Sequence, residues 1–202
     1  MSALPQESVY MTETEYLAFE RASEMRHEYS NGRVFAMTGA SRAHNLISSY
    51  TTTALVNALG DRPCEVYAAD MRVRVQAMCL YTYPDIAVVC GEPHFADNKF
   101  DTLLNPTVII EVLSPTTERY ERGKKFQDYR RLPSLQEYVL ISQESPCVER
   151  FLRQPNNEWV LTDAEGLEAS VELSSIDCVL ALADVYRKVS FDANEEMTES
   201  SA

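Results

Sequence analysis

The sequence predicts an α/β (α+β) protein: a mixed β-sheet flanked by helices, with a C-terminal antiparallel meander. Three observations carry this. Apolar runs of strand length, YPDIAVVC, TVIIEVL and QEYVLIS, are separated by longer stretches with helical periodicity. The strand–helix–strand order over residues 107–141 predicts a right-handed crossover joining a parallel pair. Residues 147–153, 158–161 and 167–171 then read as short strands closing the fold.

Taken in order, residues 12–25 read as a first helix. TETE supplies a cap and early carboxylates, and Tyr16, Leu17, Phe19 and Ala22 form a loose apolar stripe. HEYSNGRVFAM reads as a hairpin turning at Asn31-Gly32, a two-residue pair suited to positive φ. Ser41 caps a second helix whose stripe of Leu46, Ile47, Tyr50, Ala54, Leu55, Ala58 and Leu59 stops at Gly60. CEVYAADMRVRV reads as a strand and TYPDIAVVC as a buried strand opened by Pro84. Residues 91–105 read as a polar loop. A helix over 117–132, stopped by Pro133, separates strands 107–113 and 136–142.

The totals limit function. With 202 residues and 45% hydrophobic content, a single folded domain over 10–190 is expected, followed by a disordered acidic tail over 191–202. No apolar run is long enough to span a bilayer, and no secretory leader is visible, so a cytoplasmic protein is expected. The five cysteines form no C-x-x-C pair, which predicts free buried thiols and neither zinc nor a disulfide framework. The net charge of -13 argues against a nucleic-acid binder that uses its whole surface, but leaves room for a local basic groove.

Chemistry points to Asp85 and Glu111. Each lies on a buried-looking strand, where a lone carboxylate is costly unless compensated. If the strands are neighbours, two carboxylates with water suit a hard divalent cation such as Mg2+ or Mn2+. Asp85, following Pro84, also suits a strand-edge cap. Lys124 and Lys125, with Arg119, Arg122, Arg130 and Arg131, form a basic helix in an acidic chain, which also suits a solvated face. His44 stands near a helix start and suits either a contact to phosphate or water or an ordinary helix-start role. Asp70 reads more readily as a turn residue than as part of a sheet-end site. His27 and His94 read as surface residues, and the tyrosines as packing.

A proline-aspartate, a glutamate in the next apolar strand and a nearby lysine resemble the PD-(D/E)xK nuclease superfamily. Within it, HEYSNGRVFAM, SRAHN, YPDIAVV, PTVIIEVLSPTT and KKFQDYRRLPSLQEYVLIS together resemble the Uma family of bacterial proteins described as restriction endonucleases, over residues 10–190. The resemblance implies a restriction endonuclease-like fold and a Mg2+-dependent endonuclease acting on DNA. It implies Asp85 and Glu111 as the metal pair, Lys125 as the lysine with Lys124 competing, Glu28 as the further acidic residue and His44 as the family histidine. The sequence departs from the superfamily motif at Leu113, where the lysine usually stands. That departure, with the charge of -13, leaves open a nuclease fold kept as a binding or regulatory module. Oligomeric state is open; a homodimer is one arrangement, since cutting both strands often uses two copies.

Overall fold

The computed structural model describes residues 10–191. In chain order its elements begin with α1 (Glu13–Ala22), β1 (His27–Ser30), β2 (Arg33–Ala36), α2 (Arg42–Leu59), β3 (Cys64–Ala68), β4 (Arg72–Val75), β5 (Leu80–Thr82), β6 (Ile86–Cys90), β7 (Thr102–Leu103) and β8 (Val108–Val112). A lysine-bearing helix follows, then β9 (Glu137–Ile141), β10 (Cys147–Arg153), β11 (Trp159–Glu165), β12 (Ser170–Leu173), β13 (Cys178–Ala181) and a closing helical turn, Leu182–Val185. A central sheet has the order β11-β10-β9-β8-β6-β3, a second has β2-β1-β5-β4-β7, and β12 and β13 pair alone.

Local chemistry sets the boundaries. Thr12 and Glu15 close a capping box at the start of α1, worth about 1 kcal/mol. Ser41 caps α2 by accepting from the His44 N–H at 3.0 Å, and Gly60 ends it at φ 51°. Ile47, Thr51, Leu55 and Leu59, each four apart, are its buried face. Asn31 and Gly32 both take positive φ in the β1–β2 turn.

The central sheet is covered on both faces, which explains its continuous apolar runs. On one face Ile86, Val88, Ile110, Val112 and Val139 pack with Ile47, Leu55 and Leu59 of α2 and with Leu182 and Val185. On the other, Ile109, Tyr138 and Leu140 pack with Val73, Val75 and Leu80 of the second sheet and with Phe126 and Tyr129 of the lysine helix. β8 and β9 are parallel, as the crossover predicts, and β6 lies antiparallel to β8. Tyr16, Tyr29 and Tyr81 form a third cluster, with Tyr16 and Tyr29 stacked at 4.9 Å between centroids.

Several expectations are corrected. CEVYAADMRVRV is split: β3 joins the central sheet and β4 the second, with a turn at Asp70. The loop after Gly91 contains β7, paired in parallel with β4. The C-terminal region adds β13, and the β12–β13 pair is separate from the β10–β11 meander. His27 is buried, with Nδ1 3.0 Å from Glu20 Oε2. Cys64 and Cys90 are disulfide-bonded, because the β3–β6 register sets them opposite each other with Cα atoms 4.0 Å apart. Cys79, Cys147 and Cys178 are free thiols. The acidic tail expected from residue 191 lies outside the described residues from 192 onward; Phe191 itself packs on Tyr186.

The second sheet is anchored by a buried cation. Arg72 is 2% exposed and reaches Thr102, Tyr83 and, at 2.9 Å, Asp101. Asp101 also accepts from Arg21 of α1 at 2.7 Å, so one carboxylate ties α1, β4 and the β7 loop together. The Arg21 guanidinium holds Asp101 down at about 2, against an ordinary value near 4. A lowered carboxylate stabilises the fold above its unfolded value, and that stability is lost as pH falls from about 4 toward 2. Asp101→Asn should therefore cost about 1 kcal/mol at pH 7, discounted for solvent screening. In urea titrations the gap from wild type should close as pH falls through that window; a gap that persists at pH 2 would remove the ion pairs as its cause.

Candidate active site

The centre is built at one end of the β6–β8 pair. The antiparallel register sets Ile86 opposite Ile110, and one step further sets Asp85 opposite Glu111. The Asp85 N–H donates to Glu111 Oε2 at 3.4 Å, and the Val112 N–H donates to Asp85 Oδ2 at 2.7 Å. The two strand carboxylates thus meet at one sheet end.

Glu111 is 1% exposed. Its partner is Lys125, whose Nζ lies 2.8 Å from Oε1 and 3.7 Å from Glu28 Oε1. The helix carrying it is α-helical over Glu118–Tyr120, π-helical over Glu121–Lys125 and α-helical again over Phe126–Tyr129. Such π-turns are rare and recur at functional sites. Glu121, Lys125, Phe126, Asp128 and Tyr129 are buried in this helix. Tyr129 donates to Glu111 Oε1 at 3.0 Å, so that oxygen has two donors. Thr82 donates to Glu28, bringing the hairpin carboxylate in from the second sheet.

Lys124 and Lys125 take different roles. Lys125 enters the site, while Lys124 is half exposed and pairs with Asp128. Asp128 therefore belongs with Lys124, four residues before it. His44, at the start of α2, has Nε2 3.2 Å from Asp85 Oδ1 and Nδ1 3.4 Å from Ser48 Oγ. Asp70 makes no contact with this group; it is exposed and bonded to Arg26. Of the basic helix face, Arg122 is taken by Glu118 and Glu149, whereas Arg119, Arg130 and Arg131 are exposed.

Burial dominates the electrostatics. It pushes the Glu111 carboxyl up to about 8, against the downward pull of the Lys125 ammonium. Burial works to discharge Lys125, but Glu111 and Glu28 outweigh it and hold the amine well above its ordinary range. Burial also lowers His44, and the Asp85 carboxylate more than reverses this, leaving the imidazole raised.

Sequence reasoning missed Glu121 and the hydrogen-bonding role of Tyr129. Glu121 is 6% exposed, and burial raises its carboxyl. The available signal was spacing: Glu121 stands four before Lys125, which stands four before Tyr129, so all three share a helix face. Among the described residues, no three His, Cys, Asp or Glu side chains form a ready-made metal cage. Two carboxylates with retained water meet the smaller demand of Mg2+ or Mn2+.

A family model described as "Uma2: Putative restriction endonuclease" matches residues 14–183. Two uncharacterized proteins of Synechocystis sp. are similar. One is 33% identical over 177 residues, covering 88% of this chain and 92% of that protein. The other is 35% identical over 164 residues, covering 81% and 93%. A crystal structure from Anabaena variabilis, described as a putative nuclease belonging to DUF820, aligns with a TM-score of 0.72 at 18% identity, covering 87% of this chain and 97% of that one, and so shares the fold.

The geometry separates the two lysines by stability. Lys125→Met strands a buried carboxylate and should cost about 3 kcal/mol. Lys124→Met removes a half-exposed partner and should cost about 1 kcal/mol or less. Urea unfolding of both variants tests this; equal losses would mean that the Glu111 contact is not the dominant one.

Proposed function

This chain belongs to the Uma2 family, described as putative restriction endonucleases, and from that premise we propose that it is a divalent-cation-dependent endonuclease that hydrolyses DNA phosphodiester bonds. The observation that carries this is the meeting of Asp85, Glu111 and Lys125 at the end of two paired strands. The donor chemistry fits the cation. Among the described residues, Glu111 Oε2 has only the long contact from the Asp85 N–H, and both carboxylates are hard oxygen donors. Asp85 and Glu111 would hold Mg2+ or Mn2+, with water in the remaining positions. Once bound, the cation would supply positive charge to a phosphoryl oxygen and acidify a water.

The protein's own groups do the rest. Lys125 has three donors. One goes to Glu111 and a second faces Glu28, leaving one for a phosphate oxygen as charge develops there. Tyr129 fixes the rotamer of Glu111, so that Oε2 faces the substrate side. Glu28 orients Lys125, with Thr82 behind it. His44 orients Asp85 through Oδ1 and keeps its positive charge to higher pH than a free imidazole, beside the path of a phosphate. Exposed Arg119, Arg130 and Arg131 offer a basic approach for DNA on a chain of net charge -13.

Two outcomes are expected. With Mg2+ or Mn2+ and plasmid DNA, Lys125→Ala should cut at least about 10²-fold more slowly than wild type, with cation affinity nearly intact, while Lys124→Ala stays close to wild type. Undiminished cleavage by Lys125→Ala would refute the lysine assignment. Cation binding by the wild type without cleavage of any DNA would favour the binding-module reading. Second, DNA affinity should fall steeply with added salt, and Arg130→Glu with Arg131→Glu should weaken it. Unchanged affinity in that double variant would move the DNA path off this helix.

A further inference from the structure

Glu121 has no role in the chemistry described so far, yet its placement is costly. Its side chain opens the π-helical turn and is 6% exposed. Its Oε2 is closed off from solvent and has no hydrogen-bond partner among the described residues. The turn is pinned, because the Tyr138 hydroxyl donates to the Glu121 carbonyl at 3.1 Å. A buried carboxylate oxygen without a donor is completed by a water, a cation or a proton.

The neighbouring cations do not satisfy it. Lys125, four residues on, is engaged by Glu111 at 2.8 Å and faces Glu28 at 3.7 Å. Arg122 is turned away to Glu118 and Glu149. Glu121 is buried one turn before Lys125 on the same helix, on the side from which Lys125 reaches Glu111. Glu28 and Glu111 meet the Lys125 ammonium directly, and Asp85 meets Glu111 through its N–H and His44 through Oδ1.

The acceptor inventory shows where a cation belongs. Asp85 Oδ2 is taken by the Val112 N–H at 2.7 Å, while Oδ1 shares His44 at 3.2 Å. Glu111 Oε1 is taken by Lys125 and Tyr129, while Oε2 has one contact of 3.4 Å. Among the described residues, the spare acceptors include Glu111 Oε2, Glu121 Oε2 and a share of Asp85 Oδ1.

We propose that Glu121 is a third carboxylate of the cation site, accepting from a water on a small divalent ion that Asp85 and Glu111 hold from the strands. This rests on the nuclease reading and adds to it a helix-borne group that fixes one water of the ion. The indirect contact follows from the absence of a closed three-ligand cage among the described residues and from the reluctance of Mg2+ to shed water.

The test is calorimetric titration with MnCl2 alone, on wild type, Glu121→Gln, Glu111→Gln and, as a control on the same helix, Glu118→Gln. Glu121→Gln should weaken Mn2+ binding about tenfold or more, the range for groups that orient a metal's ligands. Glu118→Gln should bind as wild type does. Thermal unfolding without metal supplies the second readout. Glutamine keeps the shape and removes the uncompensated charge, so metal-free Glu121→Gln should unfold at or above the wild-type temperature. Wild-type Mn2+ affinity in Glu121→Gln, with Glu111→Gln weakened, would overturn the assignment and leave the Asp85–Glu111 site standing. Equal weakening by Glu118→Gln would reduce the effect to general helix charge and overturn it as well. A metal-free Glu121→Gln that unfolds several degrees lower would make the residue structural. A wild type that binds no Mn2+ at millimolar concentration would remove the cation reading and this inference with it.

Discussion

The structure turns on the buried contact between Glu111 and Lys125. Taking a carboxylate and an ammonium out of water costs several kcal/mol each, and only close, well-bonded pairing recovers it. Each partner is held accordingly. Glu111 is fixed by β8, which lies between β6 and β9, and by the Tyr129 hydroxyl. Lys125 is fixed by a helix packed through Phe126 and Tyr129 onto Tyr138 of β9. Glu28 then reaches the same ammonium from the second sheet, tied back to Thr82. One amine therefore joins the central sheet, the helix covering it and β1 of the second sheet.

That junction explains what was legible in the sequence. Elements punctuated by local chemistry were readable: Asn31-Gly32 for the hairpin, Ser41 and Gly60 for α2, Pro133 after the lysine helix. The β8–β9 crossover was readable because both strands are apolar on both faces, as a parallel pair covered on two sides must be. Glu111 was readable because a carboxylate inside VIIEVL must be met by a cation or leave the core. The pairing of Asp85 with Glu111 needed only that β6 and β8 be neighbours.

The rest depended on tertiary register. Cys64 and Cys90 are 26 residues apart, and only the β3–β6 pairing makes them partners. β7 is two residues long and exists because β4 offers it an edge. The π-turn has no compositional mark, since ERGKK would suit an ordinary helix. Glu121 was hidden for the same reason: in a run with Arg119, Arg122 and Lys124, an acid looks like one half of a solvated salt bridge. Burial separates it from such residues, and burial comes from packing over β9.

Leu113 can now be read differently. Residues i and i+2 of a strand share a face, so Leu113 lies on the Glu111 side of β8, where it is 5% exposed and packs in the cluster that includes Phe126 and Tyr129. A lysine there and one at 125 would approach Glu111 from the strand and from the helix. Both would need acceptors in the same enclosed space, and Glu111 Oε1 already takes the Lys125 ammonium and the Tyr129 hydroxyl. A second buried ammonium would add repulsion and a desolvation cost with no free carboxylate oxygen to offset it, apart from those that face the cleft. With the amine delivered from the helix, an apolar residue at 113 is what packing favours. The departure from the strand motif thus accompanies an amine that is present at Glu111 by another route, and says nothing by itself about lost chemistry.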